Sequence, residues 1–417
     1  MNHDICVLGL GYIGLPTASI FATKGKKVLG VDVVPRVVET INAGKIHIEE
    51  PDLDVLVRAA VQSGNLRAAA TPAPAATYII AVPTPFHKND GQRKTPDLSY
   101  VEAATRSLAP VVPADALVIL ESTSPVGTTE KVRDWLVEEI GRVRPAEAAT
   151  LSATLRFAHC PERILPGQML KELVSNDRIA GGLTPEASVV ARDLYRVFCS
   201  GEIFLTDART AEMAKLTENS FRDVNIAFAN ELSLICEKLD IDVWELIRLA
   251  NRHPRVKILQ PGPGVGGHCI AVDPWFIVDA APDEARLIRT AREVNDSKPE
   301  RVLAWVRAAA ARFPKPVIAC FGLAFKADVD DLRESPAVEI VERLAHDDVG
   351  ELLAVEPHIK TLPKALADGN KVKLVEAAAA LAQANVVVLL VSHRAFRDID
   401  KEQLAGKAVI DTRGFWK

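Results

Sequence analysis

No Cys-x-x-Cys pair occurs among the six cysteines at positions 6, 160, 199, 236, 269 and 320. Their spacing suits neither a disulfide framework nor a zinc site, so no metal is expected and a reducing cytosol is the simplest compartment. No apolar run approaches the roughly 20 residues that cross a bilayer, and membrane insertion is not expected. Lys plus Arg total 50 against 55 Asp plus Glu, a net charge of −5. Nucleic-acid binding needs a basic field to displace counterions, and this chain has none, although a local cluster can still hold one small anion. Met1-Asn2-His3-Asp4 runs into a strand-like segment without a signal-peptide pattern, which again favours the cytoplasm. No repeat of solenoid period is present. What remains is an ordinary globular chain of 417 residues, 48% hydrophobic and 25% charged. That is enough apolar surface to offset chain entropy. At roughly 150 residues per domain the length suggests about two to three domains.

The first 200 residues alternate strand-like and helical runs. Ile5–Leu8, Lys27–Val31, Tyr78–Val82, Leu117–Leu120 and Arg156–Ala158 read as buried strands, with helical patterns such as Val34–Ala43 and Thr128–Ile140 between them. Such alternation implies a parallel sheet covered on both faces. A second alternation begins at Pro316, with Val317–Phe321, Leu352–Val355, Val386–Val391 and Ala408–Ile410 as strands. The expected fold class is therefore α/β: two Rossmann-like doubly wound domains (1–204 and 313–417) joined by a central helical domain (205–312). The Ala/Pro-rich stretches 68–76 and 145–153 read as loops. Cys6 and Cys320 fall inside strand-like runs and Cys236 inside a helical one, where a thiol is buried and inert.

The middle region opens with Thr206-Asp207, a plausible N-cap, and stays helix-compatible to about Leu239. A helix of that length spans about 50 Å. Met213, Leu216, Ser220, Val224, Phe228, Leu232 and Ile235 recur at steps of three and four as an apolar stripe. Glu212, Lys215, Asn219 and Arg222 form a polar one, which is either a solvated face or a functional one.

Gly9-Leu10-Gly11-Tyr12-Ile13-Gly14 follows the first strand and opens a helix. In such a turn the first glycine allows the bend, the second lets backbone approach a pyrophosphate, and the third permits close helix packing. The helix N-terminus then offers N–H donors to the phosphates. Asp32 closes the second strand 18 residues after Gly14, where a carboxylate bonds ribose hydroxyls and repels a 2′-phosphate, favouring NAD over NADP. Arg36 is the neighbour that keeps a phosphate open as a partner. Val82-Pro83-Thr84-Pro85 and Glu121–Thr128 each follow a strand, where ligands of doubly wound sheets collect. Thr84, Thr123 and Thr128 can present hydroxyls there, although such loops are also ordinary punctuation and Thr128 suits helix capping equally well.

Pro261-Gly262-Pro263-Gly264-Val265-Gly266-Gly267-His268-Cys269 is the most unusual segment, a backbone able to wrap closely round a ligand and ending in a thiol, with Asp273 four residues on. A thiol beside a nicotinamide can attack an aldehyde made by a first oxidation. The hemithioacetal then loses a second hydride to give a thioester that water hydrolyses. A small buried cysteine beside a loop is the bland alternative. His268 is not expected to be its base, because adjacent side chains diverge.

Together these residues resemble the UDP-sugar 6-dehydrogenases of the UDP-glucose/GDP-mannose dehydrogenase family. The matching strings run along nearly the whole chain: the glycine fingerprint, Val82–Pro85, Ser122–Thr129, Pro161-Glu162-Arg163, Glu212-x-x-Lys215-x-x-x-Asn219, Gly266-Gly267-His268-Cys269, Gly322–Lys326 and Arg333-Glu334-Ser335-Pro336. Cys160–Gly167 and Cys269–Phe276 are similar to the UDP-N-acetyl-D-mannosamine dehydrogenase branch. The resemblance implies Cys269 as nucleophile, Lys215 and Asn219 as the pair stabilising developing oxyanions, and Asp273 as the group that, with Lys215, positions or deprotonates water. It implies Glu162 as the carboxylate assisting thioester hydrolysis and Thr123 as a hydroxyl ordering water near the cofactor. Substrate contacts are carried over to Arg163, Leu165, Arg222, Gly264 and Gly266, and the uridine nucleotide to Lys326. The cofactor set is Gly9, Gly11, Tyr12, Ile13, Gly14, Asp32, Arg36, Thr84, Thr123 and Arg333, the last resembling an arginine that reaches a neighbouring subunit's active site. The long helix is similar to the family's dimer core, so a homodimer or a multiple of one is expected. The chain stops at Phe415-Trp416-Lys417, without the C-terminal extension of some relatives. The activity implied is NAD-dependent, four-electron oxidation of UDP-N-acetyl-D-mannosamine at C6, feeding polysaccharide synthesis. UDP-N-acetylglucosamine or UDP-glucose are alternative substrates. A non-catalytic NAD sensor and a single-oxidation hydroxyacid dehydrogenase are the alternatives of other classes.

Overall fold

In the computed structural model, residues 3–48, 50–87, 94–164, 167–267 and 269–416 are described. Spatially the chain divides into two compact units, Met1–Glu218 and Asn219–Lys417. Leu165 and His268, both singled out above, lie outside the described residues.

The first unit begins β1 (His3–Leu8), α1 (Gly14–Thr23), β2 (Val28–Val31), α2 (Pro35–Asn42), α3 (Leu53–Gln62), β3 (Leu66–Ala69) and β4 (Ala75–Ile80). It continues with α4 (Ser99–Arg106), β5 (Leu117–Leu120), α5 (Thr128–Val143), α6 (Ala148–Thr154), β6 (Arg156–His159) and α7 (Met169–Ser175). β7 (Arg178–Gly182), α8 (Pro185–Tyr195) and β8 (Ile203–Asp207) complete its sheet. The strand order is β3-β2-β1-β4-β5-β6-β7-β8. Side chains of one strand alternate between two cores: Ile5 and Val7 pack on one face of the sheet, Cys6 and Leu8 on the other. Burial on both faces is why these strands read as unbroken apolar runs.

Three expectations need correction. The sheet is not wholly parallel, because β7 runs antiparallel to β6. β7 escapes a hydrophobicity reading since it starts with Arg178 and ends in two glycines. Both glycines are forced: a Cβ on Gly181 would stand 2.4 Å from the Asp207 carbonyl, and one on Gly182 2.4 Å from that of Thr184. The presumed loop 68–76 holds the end of β3 and the start of β4, and 145–153 is largely α6, an alanine-rich tract with no interior breaker.

α9 (Ala208–Leu239) is the long helix, 32 residues. Asp207 caps it as expected, its Oδ1 accepting from the Thr210 N–H at 2.9 Å. The boundary between the two units falls within this helix. Then follow α10 (Val243–Ala250), α11 (Asp273–Ala280) and α12 (Arg286–Ala310). The second sheet is carried by β9 (Val317–Phe321), α13 (Pro336–His346), β10 (Glu351–Val355), α14 (Lys364–Ala367) and β11 (Val372–Leu374). α15 (Ala377–Gln383), β12 (Val386–Leu389), α16 (Lys401–Leu404) and β13 (Ala408–Asp411) complete it. Its order is β11-β10-β9-β12-β13, with all pairs parallel. In each sheet the strand order reverses beside the first strand, and the crevice beyond the strand ends there is the place for a nucleotide. Among the described residues no helix is long and apolar enough to cross a membrane.

The stripes of α9 also need revision. Phe221, Phe228, Ile235 and Leu239 are 68%, 52%, 44% and 60% exposed. With Asn225 and Leu232 they fall at steps of four and three, the spacing of a helix–helix seam. The buried face instead carries Ala211, Glu212, Leu216, Asn219, Ser220, Asp223, Ala227 and Asn230. Glu212 and Asn219, from the stripe read as either solvated or functional, are therefore interior. Glu212 is accounted for by capping: its carboxylate accepts from the Gly127 N–H at 2.6 Å and the Thr129 N–H at 2.7 Å, the first turn of α5.

Candidate functional site

The glycine turn follows β1 at the switch point of the first sheet. Gly9 has φ +89°, and a Cβ there would lie 2.6 Å from the Ala81 carbonyl. A Cβ on Gly14 would fall 1.8 Å from the Gly9 carbonyl, so the helix can start only where the side chain is absent. At Gly11, by contrast, nothing lies within 4 Å. This is the position where backbone must come close to a pyrophosphate. Tyr12 is exposed and Ile13 half-buried at the mouth of α1. Asp32 accepts from the Leu10 N–H at 3.0 Å and from the Val34 N–H at 2.9 Å, which ties the end of β2 to the turn and sets the carboxylate at its rim. Arg36 is exposed on α2. The turn and its acidic neighbour fit an adenine dinucleotide.

Beyond β4 and β5 the hydroxyls join the two loops. Thr84 donates to the Thr123 carbonyl at 2.7 Å, and Ser122 to that of Val82 at 2.7 Å. Thr128 does not cap α5 as expected: the N-cap is Gly127, without a side-chain cap bond, and the Thr128 hydroxyl donates to the Pro125 carbonyl at 2.6 Å. Thr123 stays half-buried at the strand end.

A buried acid–arginine cluster adjoins these loops. Arg178 donates to Glu162 at 2.6 Å and lies 3.9 Å from Glu121. Tyr195 donates to Glu121 at 2.9 Å, and the guanidinium sits over the Tyr195 ring, 4.6 Å from its centroid. Burial, reinforced by the neighbouring Glu162 charge, pushes the Glu121 carboxyl up to about 8. Burial therefore favours the protonated form of the Glu121 carboxyl. Glu162 was singled out from the sequence; Glu121, Arg178 and Tyr195 were not. A carboxylate closing a buried strand was the available signal for Glu121, whereas Arg178 was hidden with β7. Arg163 points elsewhere, bridging to Glu218 at 2.6 Å. His159, fully buried at the end of β6, is held neutral by burial, which with the Lys215 charge pushes it down to about 3. Lys215 itself is half-buried on α9, and Arg222 is exposed.

In the second unit Asn219 donates to Asp273 at 2.5 Å, joining α9 to the first residue of α11. The Cys269 carbonyl accepts from the Val272 and Asp273 N–H groups at 3.0 and 2.8 Å, so the residue lies one turn before that helix. Cys269 is exposed while the other five cysteines are buried. Burial pushes the Cys6 and Cys320 thiols up to about 12, and they are inert. The glycines before Cys269 answer to the chain's own packing. A Cβ on Gly264 would lie 2.8 Å from Pro336, on Gly266 2.2 Å from the Glu334 carbonyl, and on Gly267 2.8 Å from the Phe325 ring. Protein, rather than only a ligand, requires these glycines.

Lys326 is half-buried in the loop after β9, its ammonium 5.7 Å from the Phe325 ring centroid. Glu356, closing β10, accepts from the Leu323 and Ala324 N–H groups at 2.7 and 3.1 Å. The buried His393 accepts from the Asp328 N–H at 2.9 Å through Nδ1, so its Nε2 donates to Glu356 at 3.0 Å. With both ring nitrogens engaged, His393 pins the Lys326 loop instead of ligating a metal with Asp328 and His358. Arg333 is exposed and forms a two-pronged pair with Asp331 at 2.9 and 2.7 Å.

Two doubly wound lobes, one with an intact dinucleotide fingerprint, define a nucleotide-binding α/β protein. The chain matches the NAD binding domain of the UDP-glucose/GDP-mannose dehydrogenase family over residues 3–199, its central domain over 209–297 and its UDP binding domain over 319–417. It belongs to that family, and is an NAD-dependent UDP-sugar dehydrogenase. It is 61% identical over 414 residues to an NDP-N-acetyl-D-galactosaminuronic acid dehydrogenase of Ralstonia nicotianae, covering 99% of this chain and 96% of the relative. It is 56% identical over 423 residues to the UDP-N-acetyl-D-mannosamine dehydrogenase of Yersinia pestis, covering 100% and 99%. Among solved structures, the UDP-N-acetyl-mannosamine dehydrogenase of S. aureus superposes with a TM-score of 0.86 at 40% identity, covering 99% of this chain and 96% of that one.

Proposed function

We propose that the substrate is UDP-N-acetyl-D-mannosamine, oxidised at its C6 hydroxyl to the uronate through a Cys269 thioester. The supporting observation is the single exposed thiol, held one turn before α11 at the end of a loop that its own glycines seat firmly. Bound NAD⁺ supplies the hydride acceptor, twice per sugar. The Cys269 sulfur adds to the C6 aldehyde, the resulting hemithioacetal loses hydride and a proton to become a thioester, and water releases the acid and the thiol. The balance is one alcohol, one water and two NAD⁺ giving one carboxylate, two NADH and three protons. In this reading Lys215 and Asn219 stabilise developing oxyanions. Asn219 also fixes Asp273, which with Lys215 prepares the hydrolytic water; Glu162, braced by Arg178, assists hydrolysis, and Thr123 orders water. Asp32 and the Gly9–Gly14 turn hold NAD, with Arg36, Thr84 and Arg333 as further cofactor contacts, and Lys326 with Arg163, Arg222, Gly264 and Gly266 serves the nucleotide sugar. The three matched segments support a division near 1–204, 205–312 and 313–417.

A second reading, the N-acetylgalactosamine stereoisomer, which differs at C2 and C4, is favoured by the names of relatives 61% and 59% identical. Initial rates with the two UDP-N-acetylhexosamines separate them. The leading reading expects the manno sugar to have the higher kcat/KM, and the reverse order overturns it. Two NADH per sugar are expected for the wild type and no completed acid for Cys269→Ser; one NADH per sugar contradicts the scheme.

The exposed row on α9 supports a homodimer, in a cytoplasmic enzyme of polysaccharide precursor synthesis. Burying about 100 Å² or more of each aromatic ring is strongly favourable. Phe228→Glu is accordingly expected to halve the mass measured by sedimentation equilibrium, and an unchanged mass would place the dimer contact elsewhere.

A further inference from the structure

The loop carrying Cys269 is gripped by α9 at both ends. Downstream, Asn219 holds Asp273. Upstream, Asn230 Oδ1 accepts from the Gly262 N–H at 2.8 Å. Asn219 and Asn230 are separated by about three helical turns, and both face the interior.

Behind Asn230 runs a directional chain of hydrogen bonds. Its Nδ2 donates to Asn295 Oδ1 at 2.8 Å. Asn295 Nδ2 donates to Asp223 Oδ1 at 2.8 Å and to the Asp223 carbonyl at 3.1 Å. Arg292 Nη1 donates to the same Asp223 Oδ1 at 2.6 Å, and its other arm bonds Asp296. Asp223, Asn230, Arg292 and Asn295 are all fully buried. The Gly262 N–H can only donate, so Asn230 must turn its oxygen to the loop and its amide nitrogen to Asn295. Turning either amide over would set donor against donor or acceptor against acceptor.

The loop cannot absorb a shift at its anchored end. A Cβ on Gly262 would lie 2.5 Å from Arg413 Nη1, and Gly264, Gly266 and Gly267 are each in close contact with Pro336, Glu334 or Phe325. Gly262 and Cys269 lie seven residues apart on the same loop. We propose that Asn230, oriented by Asn295, Asp223 and Arg292, is a positioning residue for the nucleophile. It does not touch substrate; it sets the register of the loop from which the thiol reaches the aldehyde.

This rests on Cys269 being the nucleophile, and it predicts a phenotype that general destabilisation would not give. The first oxidation needs no thiol, so a misplaced Cys269 slows the second half. With Asn230→Ala in the full chain, complete oxidation is expected to fall about 100-fold, as about 1 Å of misplacement can cost. KM for NAD⁺ should stay within about threefold, NADH per sugar should drop from two toward one, and hydroxylamine should trap free aldehyde. Iodoacetamide labelling of Cys269 in the substrate-free protein should change at least threefold, read by peptide mass. Asn230→Ser, the milder change, should show the same split at smaller size, and Asn295→Ala should reproduce it from the second link. Wild-type NADH ratio and labelling rate in Asn230→Ser and Asn295→Ala would overturn the proposal, whether or not Asn230→Ala folds. Failure of the underlying reading looks different: Cys269→Ser would then still yield two NADH per sugar.

Discussion

The two lobes solve one problem, the grip on a nucleotide, with different chemistry on the same strand order. In the first, Asp32 at the end of β2 takes a single amide of the turn, Leu10, and Gly11 is left facing open space just ahead of α1. In the second, the longer Glu356 at the end of β10 folds back to take two amides, Leu323 and Ala324, with His393 behind it. The next helix begins only at Pro336. In the proposed reading backbone amides and a helix N-terminus serve the phosphates of the first nucleotide. In the second lobe the equivalent amides are spent on a carboxylate, and in the proposed reading the point charge of Lys326 takes their place. Equivalent acids thus do different work: Glu356 builds a loop, whereas Asp32, in the proposed reading, serves the cofactor.

Exchanging the roles of these acids gives the largest expected effect. Glu356→Ala strands buried donors, each worth about 1–3 kcal/mol. It should destabilise the protein by about 3 kcal/mol or more in denaturant titrations. Asp32→Ala should cost about 1 kcal/mol yet raise KM for NAD⁺ about 10- to 100-fold, the worth of a lost charge-assisted pair. Equal stability losses would erase the contrast. Next in size, Lys326→Ala should raise KM for the UDP-sugar about tenfold or more while kcat and KM for NAD⁺ hold; a fall in kcat alone would remove Lys326 from the nucleotide.

The buried Glu121 of the first lobe sharpens the comparison through pH. Its folded pKa, near 8, is raised above the unfolded value. Its contribution to stability is therefore complete below the ordinary carboxylate range and is lost as pH rises through about 8. Melting temperature should decline between pH 5 and pH 8, and Glu121→Gln, a mimic of the protonated form, should flatten that slope. The smallest effect expected is at Gly11. With no neighbour near its Cβ position, Gly11→Ala should move stability by less than about 1 kcal/mol while weakening NAD⁺ severalfold, as seen in KM.

Both sheets and the long helix were legible because buried parallel strands and an uninterrupted helical period leave strong local patterns. β7 was not, since a buried arginine and two close-approach glycines imitate a loop. Asp32 stood out because it closes a strand 18 residues after the glycine turn and Cys269 because it ends a glycine-rich loop, whereas Lys326 came only with the family resemblance. Arg178, Asn230, Glu356 and His393 did not: their partners lie 16 to 65 residues away in sequence, and only the fold brings them together. The glycines before Cys269 were visible, but the Pro336, Glu334 and Phe325 contacts that require them were not.

The central claim is an acyl group on one sulfur. Acid quenching during turnover, followed by peptide mass analysis, tests it directly. The account predicts a UDP-linked acyl adduct on the Cys269 peptide, removed by hydroxylamine and more abundant in Glu162→Gln. Steady formation of two NADH per sugar with no adduct at Cys269, and with Cys269→Ala still producing acid, would contradict it.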